Sequence, residues 1–176
     1  MGAALSRAAV VPQITINSVG ADVPIIPPIV LLVLLMTAAA AAKLTGARIR
    51  FLPDEISARK VRLSICALIF AVSAKVHLDA IEEMHNAGSG LAFYPTAGIA
   101  TGGPFAVTRN PFYAMLVFLQ MHALAIAFDC GWLLLAIAPM WVWLSKVVIP
   151  GEEAFLGQHF GKEYSAFLDS TPRWIF

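Results

Sequence analysis

Uncharged apolar runs long enough to cross a bilayer alternate along this chain with short polar breaks, and the length of each run predicts helices. Between Asp22 and Lys43 lie twenty residues without a charge, rich in Val, Leu, Ile and Ala. At about 1.5 Å per residue, a helix of that length covers the roughly 30 Å hydrocarbon layer. Pro24, Pro27 and Pro28 crowd its start, so the regular helix is expected to begin near Ile29. The run lies too far from the N-terminus, without a basic flank or a small-residue cleavage site, to be simply a signal peptide.

Arg62 and Lys75 enclose only twelve uncharged residues, Leu63 to Ala74. That is short for a span, so the helix is expected to run on through Lys75, His77, Asp79 and Glu82. Lys75 and Asp79 then stand i, i+4 and can pair on one face. This polar end either faces a cavity or partner, or sits at the headgroup level. Nineteen residues without a formal charge follow from Asn110 to Phe128, then Asp129-Cys130-Gly131, then an apolar run from Trp132 to Leu144 and past Lys146 to Ile149. This is the pattern of a helical hairpin, with a kink expected at Pro139. Trp132 and Trp174 fall at expected helix ends, where aromatic rings suit the membrane interface.

Two stretches are not spans. Asn86 to Thr108 holds seven glycines and prolines and predicts a loop or re-entrant stretch. From Gly151 to Phe176, Phe155, Leu156, His159, Phe160, Tyr164, Phe167 and Leu168 recur at helical spacing among charges. They predict an amphipathic helix lying on a membrane surface or capping a cavity. The expected fold class is all-α: an integral membrane bundle of about four transmembrane helices with a C-terminal amphipathic helix. It forms one domain overall. Residues 1–22 are expected to be poorly ordered, 23–84 to hold the first two helices, and 85–176 to hold the connector, hairpin and tail.

Composition agrees with this placement. Of 176 residues, 59% are hydrophobic and 13% charged, and the mean hydropathy is +0.78; a soluble core of this size cannot hide so much apolar surface. A formal charge of +1 offers no electrostatic footprint for nucleic acid. Cys66 and Cys130 sit in apolar stretches without metal-ligand or disulfide-framework spacing, so no metal site is expected.

The unusual residues concentrate in the connector from Thr101 to Tyr113 and in the tail that begins Gly151-Glu152-Glu153. An antiparallel third and fourth helix bring these two stretches to one membrane face. Arg109 and Tyr113 then face Glu152 and Glu153, so that a cation, a phenol, two carboxylates and glycine-exposed backbone surround one concavity.

These residues carry a resemblance. Gly103-Pro104-Phe105, then Arg109-Asn110-Pro111 and Tyr113, resemble the G-P-[FY]-x-x-x-R-[HN]-P-x-Y signature of the isoprenylcysteine carboxyl methyltransferase and phospholipid N-methyltransferase group of integral membrane enzymes. The tail from Glu152 and Glu153 through Leu156, Phe160, Gly161 and Tyr164, followed by Phe167 and Pro172-Arg173-Trp174, is similar to the same group's E-E-x-x-L-x-x-x-F-G-x-x-Y ending. Asn86-Ala87-Gly88-Ser89 and Tyr94-Pro95 are a weaker echo. The resemblance covers about the last 90 residues. It departs at Asn110, where many members have His, at Met115, where glycine is frequent, and at Ala106, where many carry a basic residue.

The resemblance implies S-adenosylmethionine as cofactor and a lipophilic acceptor, such as a prenylated cysteine carboxylate or a phospholipid amine, entering laterally among membrane lipids. Arg109, Glu152 and Glu153 are the candidate catalytic residues. Arg109 suits the donor's carboxylate, Glu152 or Glu153 its ammonium or ribose hydroxyls, and the amides of Gly102 and Gly103 permit close approach. Asn110, Pro111 and Tyr113 fall by analogy in the same pocket; Arg173, His159 and Tyr164 are candidate substrate contacts. The competing reading is a non-catalytic membrane subunit that keeps the fold, with Asn110 and Met115 as its symptoms; four spans with few charges fit a transporter poorly.

A multi-pass membrane location follows, in the endoplasmic reticulum or another endomembrane of a eukaryote or the inner membrane of a bacterium. Six basic residues, Lys43, Arg48, Arg50, Arg59, Lys60 and Arg62, stand between the first two spans. They predict a cytosolic connector, which puts the candidate site on the opposite face. Cytosolic cofactor supply requires the reverse; an organelle envelope, a re-entrant segment or an extra half-span would reconcile the two. Met1-Gly2-Ala3-Ala4-Leu5-Ser6 fits the loose N-myristoylation pattern, but a nearby span makes such an anchor redundant.

Overall fold

The structure, a computed structural model, describes residues 27–45, 49–53, 56, 58–89 and 97–175. The expectations for residues 1–22, Pro24 and Tyr94-Pro95 lie outside the described residues. Among the described residues five long helical segments stand out: α1 (Pro27–Leu44), α2 (Arg59–Asn86), α3 (Pro111–Phe128), α4 (Gly131–Phe160) and α5 (Lys162–Ser170). The first four are long and apolar enough to cross a membrane. A 3-10 turn, Gly103–Ala106, interrupts the connector, and no strand occurs among the described residues.

α1 begins at Pro27, ahead of the expected Ile29, because a proline in the first turn gives up only an N–H that has no helical acceptor. α2 does run on to Asn86, and Lys75 Nζ lies 2.5 Å from Asp79 Oδ1 on its surface. Helices α3 and α4 form the centre of the bundle: 39% of each apolar window is buried, against 6% for α1 and α2. Their seam is filled by Val117 and Met121 against Met140, Leu144, Val148 and Ile149. The small side chain of Ala38 lets α1 approach Ala125 and Leu133.

The α3–α4 turn is held from outside. Asp129 adopts a left-handed conformation, φ 46°, and its carboxylate, buried at 3% exposure, accepts hydrogen bonds from Arg50 Nε at 2.9 Å and from the Phe51 and Leu52 amides, each at 3.2 Å. Arg62 Nη1 stands 3.5 Å away. The Arg50 hydrogen bond, with help from the two amides, holds the Asp129 carboxyl below the ordinary carboxylate range despite the opposing cost of burial. Gly131 donates its N–H to Ile49 O at 2.8 Å, and a Cβ there would fall 2.8 Å from Ile49 Cγ2. The loop after α1 is thus clamped to the hairpin.

Two prolines shape α4. The helix breaks at Ala136, one turn before Pro139, as expected of a residue that cannot donate to the carbonyl four back. Nearer the site, Leu144–Val148 forms a π turn in which the Ile149 N–H reaches Leu144 O. The ring of Pro150 is accommodated there, and the helix continues without interruption to Phe160. This corrects the expected boundary at Gly151: Glu152 and Glu153 lie inside α4, and the chain turns at Gly161, φ 50°. α5 folds back, burying Tyr164 and Phe167 with Ala80, Ala100 and Phe105. The amphipathic tail therefore caps the connector.

Candidate functional site

The connector and the C-terminus are stitched together by backbone. The Arg109 N–H donates to Pro172 O at 3.0 Å; Thr108 Oγ1 and Asn110 Nδ2 both donate to Arg173 O, at 2.9 and 3.0 Å. Trp174 locks the end, packing edge-on to Phe118 with centroids 5.6 Å apart and beside Trp141 at 6.3 Å. These contacts fix Arg109 and Arg173 at the α3 start, beside the carboxylates of α4.

Glu153 is shared by two cations. Its Oε1 lies 3.2 Å from Arg109 Nη2 and accepts from Arg173 Nε at 3.0 Å, while Oε2 accepts from Arg173 Nη2. Arg109 Nη1 donates to Leu168 O at 3.2 Å, tying α5 to the cluster. Glu152 takes a different partner, the Tyr113 hydroxyl, which donates to Oε1 at 2.6 Å. Neighbours in sequence, the two carboxylates thus hold separate groups of α3 and the connector. The buried Tyr164 hydroxyl is pushed up to about 12, first by desolvation and then by Glu153, with the arginines opposing. It remains a protonated donor through the physiological range.

The sequence-selected residues do not form one group. Arg109, Asn110, Tyr113, Glu152, Glu153 and Arg173 meet as described, with Tyr164 beside them. Gly103 and Pro111 instead line a cavity of about 530 Å³ with Asp79, Glu82 and Glu83 of α2. Gly102 serves that side too: its N–H donates to Glu83 Oε1 at 3.0 Å, and a Cβ would stand 2.5 Å from the same oxygen. His159 is exposed and keeps its contacts within α4, bonding Phe155 O at 2.9 Å. Thr108 and Ser145 also border the cluster. Nothing in their local sequence separates them from ordinary helix-end and intramembrane hydroxyls. Among the described residues no group of three His, Cys, Asp or Glu side chains could hold a metal ion.

Four helices long and apolar enough to cross a membrane, with an ion-paired cluster at one end, define the class as a multi-pass helical membrane protein. The family model of phospholipid methyltransferase matches residues 61–163, more than half of the chain, and the chain belongs to that family. It is a multi-pass membrane protein of a methyltransferase family. The match runs from the start of α2 into α5 and includes Arg109, Tyr113, Glu152 and Glu153. No curated protein and no solved structure matches the chain.

Proposed function

We propose that this protein transfers a methyl group from S-adenosylmethionine to a lipophilic amine. The observation that carries the reading is the pairing of Arg109 with Glu153 and of Tyr113 with Glu152 inside the family-matched segment. The donor set suits the cofactor: a guanidinium for its carboxylate, carboxylates for its ammonium or ribose hydroxyls, and Asn110 and Tyr113 for polar contacts. Arg109 Nε, buried and without a hydrogen-bond partner, is a donor still free to engage a ligand. S-adenosylmethionine supplies a methyl group on a sulfonium that becomes neutral as the methyl leaves.

The chain's task is then to align donor and acceptor and to keep water out. Trp174, packed on Phe118 and Trp141, and α5, packed on the connector, supply apolar cover around the cluster. The neighbouring cavity supports an amine over a carboxylate. Asp79, Glu82 and Glu83 line it; Asp79 is paired with Lys75, and the carboxylates of Glu82 and Glu83 favour an ammonium headgroup over an anion, while a carboxylate there can also take the proton an amine must lose before it attacks. Arg173, the candidate contact for an acidic acceptor, is already engaged by Glu153.

The test is methyl transfer from radiolabelled S-adenosylmethionine by the purified chain in nanodiscs, with a phosphatidylethanolamine and a prenylated cysteine offered separately. Label in the amine lipid alone is expected. Label in the prenylated cysteine alone would overturn the amine assignment, and no labelling of either, with no donor bound, would favour the non-catalytic subunit.

A further inference from the structure

Besides the break at Ala136, the hydrogen-bond ladder of α4 fails ahead of Pro150, and this second failure leaves polar groups beside the ion cluster. Because the Ile149 N–H goes to Leu144 O, the next carbonyl, that of Ser145, falls opposite Pro150, which has no N–H to give. Arg173 Nη1 approaches this carbonyl only to 3.5 Å, at the limit of a useful bond. The Ser145 side chain is stranded as well. The residue is 8% exposed, and its Oγ has no hydrogen-bond partner, whereas a helical serine commonly returns its hydroxyl to a carbonyl one turn back.

Arg109 Nε is the second buried donor without a partner here. Both residues adjoin the same bridge: Arg109 through its contact with Glu153 Oε1, and Ser145 through its backbone carbonyl, which Arg173 approaches. Both guanidiniums are paired to the one carboxylate of Glu153, while Glu152 bonds Tyr113. Buried donors without acceptors are costly unless a ligand joins them, and π turns concentrate at functional positions.

We propose that the Ser145 hydroxyl and the Arg109 Nε–H form a subsite for a compact anionic group, a carboxylate or a phosphate, with the π turn ahead of Pro150 presenting Ser145 to it. In its carboxylate form this deepens, and rests on, the methyl-donor reading above. Both donor atoms are closed from solvent, so the anion enters as Arg173 turns aside from Glu153; its side chain is 37% exposed, against 12% for Arg109.

The experiment compares the parent chain with Ser145→Ala and Ser145→Thr in nanodiscs, titrating S-adenosylhomocysteine, methylthioadenosine, which lacks the amino-acid moiety, and spin-labelled phosphatidate or diacylglycerol. Loss of a hydrogen bond to a charged group predicts about tenfold weaker binding in the alanine variant, largely restored by threonine. If the loss falls on S-adenosylhomocysteine and spares methylthioadenosine, the anion is the donor's carboxylate. If it falls on phosphatidate and spares diacylglycerol, the anion is a lipid phosphate. Unchanged binding of both anions, or equal losses for the anionic and neutral members of each pair, overturns the proposal. A parent chain that binds neither nucleoside overturns the methyl-donor reading instead, and the phosphatidate comparison still decides the role of Ser145.

Discussion

At the scale of single residues, Glu153 holds the site together because it is the shared acceptor for Arg109 and Arg173. Replacing it with glutamine leaves two guanidiniums without a counter-charge in a largely buried space. Donor affinity is expected to fall by about tenfold to a hundredfold, measured by equilibrium binding. Gly102 makes a subtler demand. In Gly102→Ala the new Cβ meets Glu83 Oε1, so the carboxylate must swing away and its bond to the backbone is lost; KM for the acceptor is expected to rise more than kcat falls. Arg109, Tyr113, Glu152 and Glu153 were legible in the sequence because their spacing on two antiparallel helices puts them at one end. Ser145 and Glu83 were not, since their places beside the cluster and the connector depend on a helix irregularity and on a loop folding back onto α2.

Among the elements, the hairpin clamp and the π turn carry separable consequences. Asp129→Asn removes the charge that Arg50 and Arg62 share while keeping an acceptor for the Phe51 and Leu52 amides. The expected loss is about 2 kcal/mol, read as a lower midpoint in detergent unfolding. The pH dependence has a defined sign. The folded-state carboxyl titrates below its ordinary value of 3.8, so its contribution is complete above that pH and fades as pH falls from there through the depressed value. The parent should therefore lose midpoint in this acid range more steeply than Asp129→Asn. Pro150→Ala returns an N–H to α4, allowing the π turn to relax and the Ser145 carbonyl to rejoin the ladder; donor affinity is expected to fall with little net change in stability, because the restored bond offsets the lost proline constraint. Three of the four spans were legible from run length, and the second from the expected continuation of its helix past Lys75. The continuity of α4 past Gly151 was not, because Pro-Gly ordinarily ends a helix and a π turn that absorbs the ring has no sequence signature.

Across the whole molecule, the clamp and the site lie at opposite ends of the bundle. The loop after α1, the start of α2 and the α3–α4 turn meet at Asp129, whereas the connector, the α3 start and the C-terminal residues meet at Glu153. Asp129 binds two of the six connector cations, but the positive-inside bias follows the count of Lys and Arg, so the conflict between the basic connector and cytosolic cofactor supply stands. The apolar α3–α4 seam lies between the two. The most direct test of the account is saturation binding of tritiated S-adenosylmethionine to the purified 176-residue chain in nanodiscs, beside an Arg109→Ala variant shown by circular dichroism to keep its helices. Saturable binding displaced by S-adenosylhomocysteine in the parent, and at least tenfold weaker in the variant, is the expected result; absence of saturable binding in the parent, or equal binding in both, would contradict it.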